Sequence, residues 1–349
     1  DSLLQRVHFD QFRKFIKMAA SYNKLDTFLH TMPADRSETL MKAFVSNLDK
    51  SGSLEDAVDV ADAYSSITDK KLLSSIRSYV ADNEQQAHAD GNENGALIYC
   101  LLRKIFQAAD SAFVPQYQDS LGIGSLYSIS AAALQDDSGR IVQQVYFYGD
   151  EDGKKIFTAF LNSFSSKEWK INSKDEWVEI HSLNGKVWIY ANRPLDYDLN
   201  LDDTAQAHLA EYLEAQDIRP SVVVHRGHSY WLPGTIARMP ADAKIIIIGS
   251  CGGYKNLKEI IASSPHAHII STKEIGSGET NRPVLNYLNQ AFLNGRTVIW
   301  KNMWSSLSST FARDPVKELY ESWQNYVPPY RNLGAIFISA YNNAVAGSE

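Results

Sequence analysis

The sequence predicts an α/β fold in which a mostly parallel sheet of about six strands carries helices on both faces and follows an all-helical N-terminal domain. Three observations support this. Up to about residue 113, apolar residues recur only at helical spacing. Residues 114–137 are rich in Gly, Ser, Pro and Gln, which is typical of a linker. From Ile141 onward, short β-branched runs alternate with helical patterns. We therefore expect a helical domain at 1–113, a linker at 114–137 and an α/β domain at 138–349.

The composition restricts the partners that this chain can have. Its 349 residues carry a formal net charge of −7, which argues against a nucleic-acid partner. No purely aliphatic run is longer than four residues, so we expect no membrane span. Cys100 and Cys251 are the only cysteines, which excludes a disulfide framework and metal sites built on cysteine pairs. We expect no metal and no cofactor. The chain starts at Asp1 without Met, so we lean towards an extracytoplasmic location, although a trimmed chain would look the same.

The helical region contains stripes of apolar residues with a period of three to four. They are Leu40, Phe44 and Leu48; Leu54, Val58 and Ala61; Leu72, Leu73, Ile76, Tyr79 and Val80; and Leu97, Ile98, Leu101, Leu102, Ile105 and Phe106. The polar stretch from Asp82 to Asn94 separates the last two stripes, and we interpret it as an exposed loop. Cys100 lies in the most apolar stripe and is expected to be a buried small hydrophobe.

The second half alternates between strand and helix patterns. Predicted strands are Val142 to Tyr148, a hairpin of Trp177 to Ile180 and Val187 to Tyr190 turning at Asn184-Gly185, then Val222 to Val224, Ile245 to Ile248 and Ala267 to Thr272. Predicted helices are Lys154 to Phe164, Thr204 to Ala215, Leu257 to Ala262, Pro283 to Leu293 and Thr297 to Phe311, before a final apolar run from Ala335 to Ala340. This order predicts parallel pairing, because parallel strands need crossover connections.

Two of the predicted buried strands end near a reactive side chain. His228 follows the Val222 strand, and Cys251 follows the Ile245 strand inside the segment Gly-Ser-Cys-Gly-Gly. Since ligands bind at the carboxyl ends of strands in open α/β sheets, we expect the imidazole and the thiol to meet over one substrate. Only Trp231 to Pro240 remain for the crossover, so its helix can have one or two turns at most. His225 is a rival for the role of base, but it lies inside the apolar run.

These two motifs resemble those of the clan CD cysteine peptidases, which include caspases, legumains, gingipains, clostripain-like enzymes and separases. In that family a hydrophobic strand ends in His followed by Gly or Ser, and the next strand ends in a small residue followed by the nucleophilic Cys. Here Ser229 follows the His and Ser250 precedes the Cys. The resemblance covers roughly Val142 to Ser309. It implies a caspase-like sheet and a cysteine endopeptidase that acts on a peptide or protein substrate through a His228/Cys251 dyad and a thioacyl intermediate.

The chemistry of such a site can also be argued from the residues. An imidazole near a thiol favours the nucleophilic thiolate. The backbone N–H groups of Cys251 and Ser229 are placed to donate to the oxyanion of a tetrahedral intermediate. For the substrate pocket we single out acidic side chains and one aromatic, namely Asp150, Asp152, Glu274, Glu279 and Trp231. The acidic candidates leave a preference for Lys or Arg open, although a solvated acidic turn is the alternative for Asp150 and Asp152.

Two other functions stay open at this point. A caspase-like module that has lost catalysis would serve as a binding or scaffold protein, for which the helical domain is suited. A different α/β hydrolase or transferase using Cys251 is the third reading, although no second motif supports it. The substrate, the oligomeric state and any need for self-cleavage cannot be read from these residues.

Overall fold

A computed structural model describes residues 9–22, 24–50, 54–110, 121–122 and 124–347. The chain divides into two compact units. One, the helical unit, comprises residues 1–124 together with 330–349, and the other, the α/β unit, comprises residues 125–329. None of the helices in the described ranges is both long and apolar enough to cross a bilayer.

The helical unit contains α1 (Phe9–Ser21), α2 (Leu25–His30), α3 (Ala34–Val45), α4 (Glu55–Tyr64), α5 (Lys70–Ala89), α6 (Glu93–Asp110) and, after the α/β unit, a C-terminal helix at Leu333–Ala346. The stretch from Asp82 to Asn94 is not a loop, because α5 continues to Ala89 and α6 starts at Glu93. The inner face of α5 buries Glu84, which pairs with Arg103 of α6 through Nε at 2.5 Å. A polar helical face therefore accounts for this part of the sequence.

The domain borders differ from those expected from composition. The end of the predicted helical domain and the start of the predicted linker lie outside the described residues, since the structure does not describe residues 1–8, 111–120 and 123. From Ser125 the chain already belongs to the α/β unit. The run Ala335 to Ala340 lies in the C-terminal helix, which packs with α4 and α6, so the α/β unit ends at Pro329 and not at residue 349. There the N–H of Gly334 donates to Asp62 Oδ1 at 2.9 Å.

The α/β unit is built on an eight-stranded, mostly parallel sheet flanked by helices. Its strands are β2 (Ile141–Phe147), β3 (Trp169–Ser173), β4 (Trp177–Ser182), β5 (Val187–Asn192), β6 (Val222–Arg226), β7 (Ile245–Ile248), β8 (His268–Thr272) and β10 (Tyr326–Val327), while β1 (Ser128–Ile129) pairs separately with β9 (Val298–Ile299). The order is β10-β8-β7-β6-β2-β5-β4-β3. Pairs among β5, β2, β6, β7 and β8 are parallel, and the outer pairs are antiparallel.

The sheet has two strands more than the six expected. Both additions are at its edges, where the usual pattern of a buried strand is weak. β3 has mostly exposed or partly exposed side chains, and β10 has only two residues. The expected hairpin is confirmed as β4 and β5 with its turn at Gly185, whose φ is 74°.

Helices cover both faces of this sheet, as expected. The helices of the unit are α7 (Ala131–Leu134), α8 (Glu151–Leu161), α9 (Leu201–Ala215), α10 (Leu232–Ala237), α11 (Leu257–Ser263), α12 (Gly278–Leu293), α13 (Trp300–Ala312) and α14 (Lys317–Gln324), and the C-terminal helix is α15. On one face, Phe157 of α8 packs edge-on against Phe147 of β2, and Asn289 of α12 accepts a hydrogen bond from Gln143. On the other, Leu209 of α9 packs against Val142. Side chains therefore alternate between two helix layers along β2.

Candidate active site

Cys251 and His228 are located at the same edge of the sheet. β6 and β7 are neighbours in parallel register, with His225 opposite Ile248, and the two residues follow the carboxyl ends of these strands. The crossover between the strands contains only a single 3₁₀ turn (Ser229–Trp231) and the six-residue helix α10, as the spacing predicted. Cys251 and His228 line one pocket of about 400 Å³, which lies between α8 and α12.

The turn that presents Cys251 depends on small residues. A Cβ on Gly249 would lie 1.8 Å from Oδ1 of Asn281, whose Nδ2 donates to the Gly249 carbonyl at 3.0 Å. Gly252, directly after the cysteine, has a φ of 66°, in the left-handed region that favours glycine. The glycines therefore allow the backbone to turn sharply and leave the Cys251 side chain exposed at the end of the strand.

The surroundings of Cys251 are mainly backbone. Its Sγ lies 4.0 Å from the carbonyl oxygen of Gly276, on the loop that follows β8. The N–H of Gly252 donates to the Glu274 carbonyl at 2.7 Å, and the N–H of Gly253 donates to the Ser250 carbonyl at 3.2 Å. Within the described ranges, the N–H groups of Ser229 and Cys251 make no hydrogen bond to the protein. They are thus free to donate to a substrate oxygen.

His228 is the accessible imidazole of the two candidates. Its side chain is 43% exposed, its Nε2 lies 3.6 Å from Oδ2 of Asp152, and its ring stacks on that of Tyr230. An imidazole that is exposed on a pocket wall and oriented by a carboxylate can exchange a proton with a neighbouring group.

His225, by contrast, is a structural residue. It is buried, its Nδ1 bonds Thr235 Oγ1 at 2.8 Å, and its Nε2 bonds the carbonyl oxygen of His228 at 3.1 Å. Burial lowers the pKa of His225 to about 4, so the ring is neutral at pH 7. Both ring nitrogens are used in the protein, and the bond from Nε2 holds the backbone at His228.

The predicted pocket residues do not all reach the pocket. Asp150, Asp152 and Glu279 line it, whereas Glu274 and Trp231 do not. Asp150 is the N-cap of α8, where it accepts from the N–H of Gly153 at 2.6 Å and from Nε1 of Trp231 at 3.2 Å. Trp231 therefore positions Asp150 and stacks on Tyr148. α8 starts at Glu151, three residues before the predicted start, because Asp150 caps it.

The pocket also contains side chains that the sequence patterns did not single out. Arg226 is the last residue of β6 and is only 6% exposed, while Ser250 and Asn281 are 3% and 5% exposed. Tyr326 of β10 donates from its hydroxyl to Asn281 Oδ1 at 3.0 Å. The sequence contains one signal for a buried Arg226, because this arginine continues the alternation of Val222 and Val224 along a buried strand.

The charges on the lining are distributed unevenly. Asp152, Lys155, Glu279 and Arg282 are exposed at the rim, whereas Arg226 is the one charged side chain among the buried lining residues that the structure describes. Lys155 pairs with Glu151 at 2.7 Å. Across the described ranges, no group of three or more His, Cys, Asp or Glu side chains is arranged to hold a metal ion.

Comparison with known proteins adds no relative to this description. No family model matches the chain, and neither a curated protein nor a solved structure is similar enough to count as a match.

Proposed function

We propose that the α/β unit is a cysteine endopeptidase of the clan CD type, with Cys251 as nucleophile and His228 as base. The single observation that carries the proposal is that these two side chains line one pocket at the carboxyl ends of adjacent parallel strands. The exposure of both side chains, the glycine turn at Cys251 and the two unused N–H groups support the same conclusion.

The reaction that this arrangement supports has two stages. In the first, His228 accepts the thiol proton as Sγ of Cys251 attacks the peptide carbonyl carbon, and the N–H groups of Ser229 and Cys251 stabilise the oxyanion. The C–N bond then breaks, and the amine leaves with the proton from His228. In the second stage, His228 takes a proton from water, whose oxygen attacks the thioacyl carbon. The C–S bond breaks, which releases the acid and restores the thiol.

The carboxylate of Asp152 assists this cycle. It lies 3.6 Å from Nε2 of His228 and can hold the imidazole in one orientation while the thiol proton is transferred. Both groups are partly exposed, so the interaction is screened by water and is expected to orient the ring more than to supply a large energy.

An irreversible peptidyl acyloxymethyl ketone tests the proposal, because its labelling of a cysteine requires an activated thiol in a peptide-binding site. We expect labelling of the wild-type protein and of Cys100→Ala, no labelling of Cys251→Ala, and labelling of His228→Ala that is slower by about a hundredfold or more. Mass spectrometry of tryptic peptides locates the label.

The same experiment separates the two leading functions. Equal and slow alkylation of Cys100 and Cys251, unchanged in His228→Ala, would reject a peptidase. A binding or scaffold role for the α/β unit would then be the better conclusion.

A further inference from the structure

Arg226 is a buried cation that has no hydrogen-bond or ion-pair partner among the residues that the structure describes. The residue is only 6% exposed, and its Nε and Nη1 atoms donate no hydrogen bond within the described ranges. No carboxylate of the described residues is in salt-bridge contact with it, although arginines such as Arg103, Arg140 and Arg238 each pair with an acid. Burying a guanidinium in this way is costly unless an anion offsets the charge.

The charge is retained at neutral pH. Burial lowers the pKa of Arg226 to about 10, partly offset by the Tyr326 hydroxyl and reinforced by the charge of Arg282. Even with its pKa lowered to about 10, the Arg226 side chain remains a cation at pH 7. Of the two nearby groups, only Arg282 adds to the need for an anion, because it is a second cation, whereas Tyr326 is neutral at this pH and supplies no counter-charge.

Arg226 lines the pocket that also contains Cys251. Along β6, Arg226 shares its sheet face with Val222 and Val224, the face covered by α8 and α12, whereas His225 points to α10. Its Nη2 lies 3.8 Å from the position that a Cβ on Gly278 would occupy, at the start of α12. The guanidinium therefore lies on the wall between β6 and α12.

A second unsatisfied group lies on the same wall. Ser250 directly precedes Cys251 and lines the pocket, and its buried Oγ makes no hydrogen bond to any part of the chain that the structure describes. In the described part of the chain, the amide of Asn281 bonds other groups, because its Nδ2 donates to the Gly249 carbonyl and its Oδ1 accepts from the Tyr326 hydroxyl. Buried polar groups are normally paired, and a hydrogen-bond acceptor bound in this pocket would give both groups a partner.

We propose that this pocket takes the carboxylate of an acidic substrate side chain, which accepts hydrogen bonds from Arg226 and from the Ser250 hydroxyl. The inference rests on the proposed peptidase function and specifies its substrate class, with Asp or Glu as the residue whose carbonyl Cys251 attacks. A carboxylate fits a guanidinium through two parallel hydrogen bonds. This replaces the open preference for Lys or Arg, because Asp150 and Asp152 are already bound to the α8 N-terminus and His228, and Glu279 is exposed at the rim of the pocket.

The first test compares peptide substrates that differ in one residue. Matched acetylated tetrapeptides with a fluorogenic amine as leaving group carry Asp, Asn, Glu, Gln or Lys next to the amine, and kcat/KM is measured for each. We expect kcat/KM for the Asp or Glu peptide to exceed that for the matching Asn or Gln peptide by about tenfold or more, because the amide loses a hydrogen bond to a charged group. Arg226→Gln is expected to remove this preference, and Arg219→Gln, an exposed arginine paired only with Asp217, to keep it.

The second test does not need catalysis. Cys251→Ala protein is titrated with the same tetrapeptides as carboxamides by calorimetry, and we expect the acidic peptide to bind about tenfold more tightly than its amide. Ser250→Ala and Arg226→Gln should each reduce this ratio. If Arg226→Gln does not fold, the test rests on two other measurements. These are the ratio of the affinities for the acidic peptide and its amide in protein that keeps Arg226, and the change of that ratio in Ser250→Ala.

The outcomes distinguish the two levels of the proposal. Turnover that is equal for Asp, Asn and Lys peptides would overturn the acidic pocket and leave the peptidase function intact. Selective binding of the acidic peptide without any turnover or probe labelling would reject the peptidase and retain a carboxylate site. Binding that is equal for acid and amide, or absent for both, would overturn the carboxylate site.

Discussion

Replacing His225 by Gln should change how the stability of the α/β unit depends on pH. Burial lowers the pKa of His225 from 6.5 to about 4. The unfolded chain therefore binds a proton that the folded unit rejects, and the free energy of unfolding falls as the pH drops below about 6.5 and levels off near pH 4. The stabilisation that is fully present above pH 6.5 amounts to about 3 kcal/mol, and about 2 kcal/mol of it is lost by pH 5.

Tryptophan fluorescence in urea follows this unit selectively, because all 7 tryptophans lie between Trp169 and Trp323. Between pH 7.5 and pH 5 the wild-type α/β unit should lose at least about 2 kcal/mol, since burial also lowers the pKa of His181 and His268. His225→Gln should lose about 2 kcal/mol less over the same range. His266→Gln, at an exposed position, should behave as wild type.

An unchanged pH dependence in His225→Gln would refute this reasoning. It would mean that the imidazole can be protonated in place, and that its bonds to Thr235 and to the His228 carbonyl can rearrange without cost. The contribution of Asp59, in the helical unit, to the pH dependence of stability has the opposite sign. Burial raises the pKa of Asp59 to about 6, so acid stabilises the fold there. It lies outside the unit that the tryptophans report on.

Three other changes test the site. Arg226→Met should raise the free energy of unfolding of the α/β unit by about 1–4 kcal/mol, because it removes an unpaired buried charge, and urea titration measures this; a loss of stability would show that the guanidinium has a partner in the fold. Gly249→Ala should cost about 1–3 kcal/mol through its contact with Asn281, whereas Gly234→Ala in α10 should be neutral or stabilising in the same assay. Asp152→Asn should lower kcat/KM by no more than about fivefold, since the His228 pair is half exposed; a larger loss would assign the carboxylate a direct part in the chemistry.

The sheet was predictable where strands are buried on both faces. β6, β7 and β8 consist mainly of β-branched residues, β2 combines β-branched with aromatic residues, and runs of this kind between turn residues are specific for strands. The edges were not predictable, because β3 is half exposed and β10 is held by pairing with β8 over two residues. The run Ala335 to Ala340 is apolar except for Ser339, and such a short run does not show which unit it packs in.

The site followed the same division. Ligands bind at the carboxyl ends of the strands in open α/β sheets, and this rule is sufficient to predict that Cys251 and His228 line the same pocket. The contacts of Asp150 depend on Trp231, which comes 81 residues later in the chain, so local sequence cannot show them. The sequence alone does not establish that Arg226 is buried, because a single arginine at a strand end usually extends to water and only the position of α12 encloses it.

The discontinuity of the helical unit has a consequence for synthesis on the ribosome. Helices α4 and α6 are completed by α15, but the whole α/β unit, residues 125–329, is translated between them. At about 5–20 residues per second, the first helices wait on the order of 10–40 s for their last partner. During that interval the apolar face destined for Ile336 and Phe337 is open to other chains. Nascent chains of this protein are therefore expected to need chaperone protection at the helical end, whereas the α/β unit can complete its sheet first.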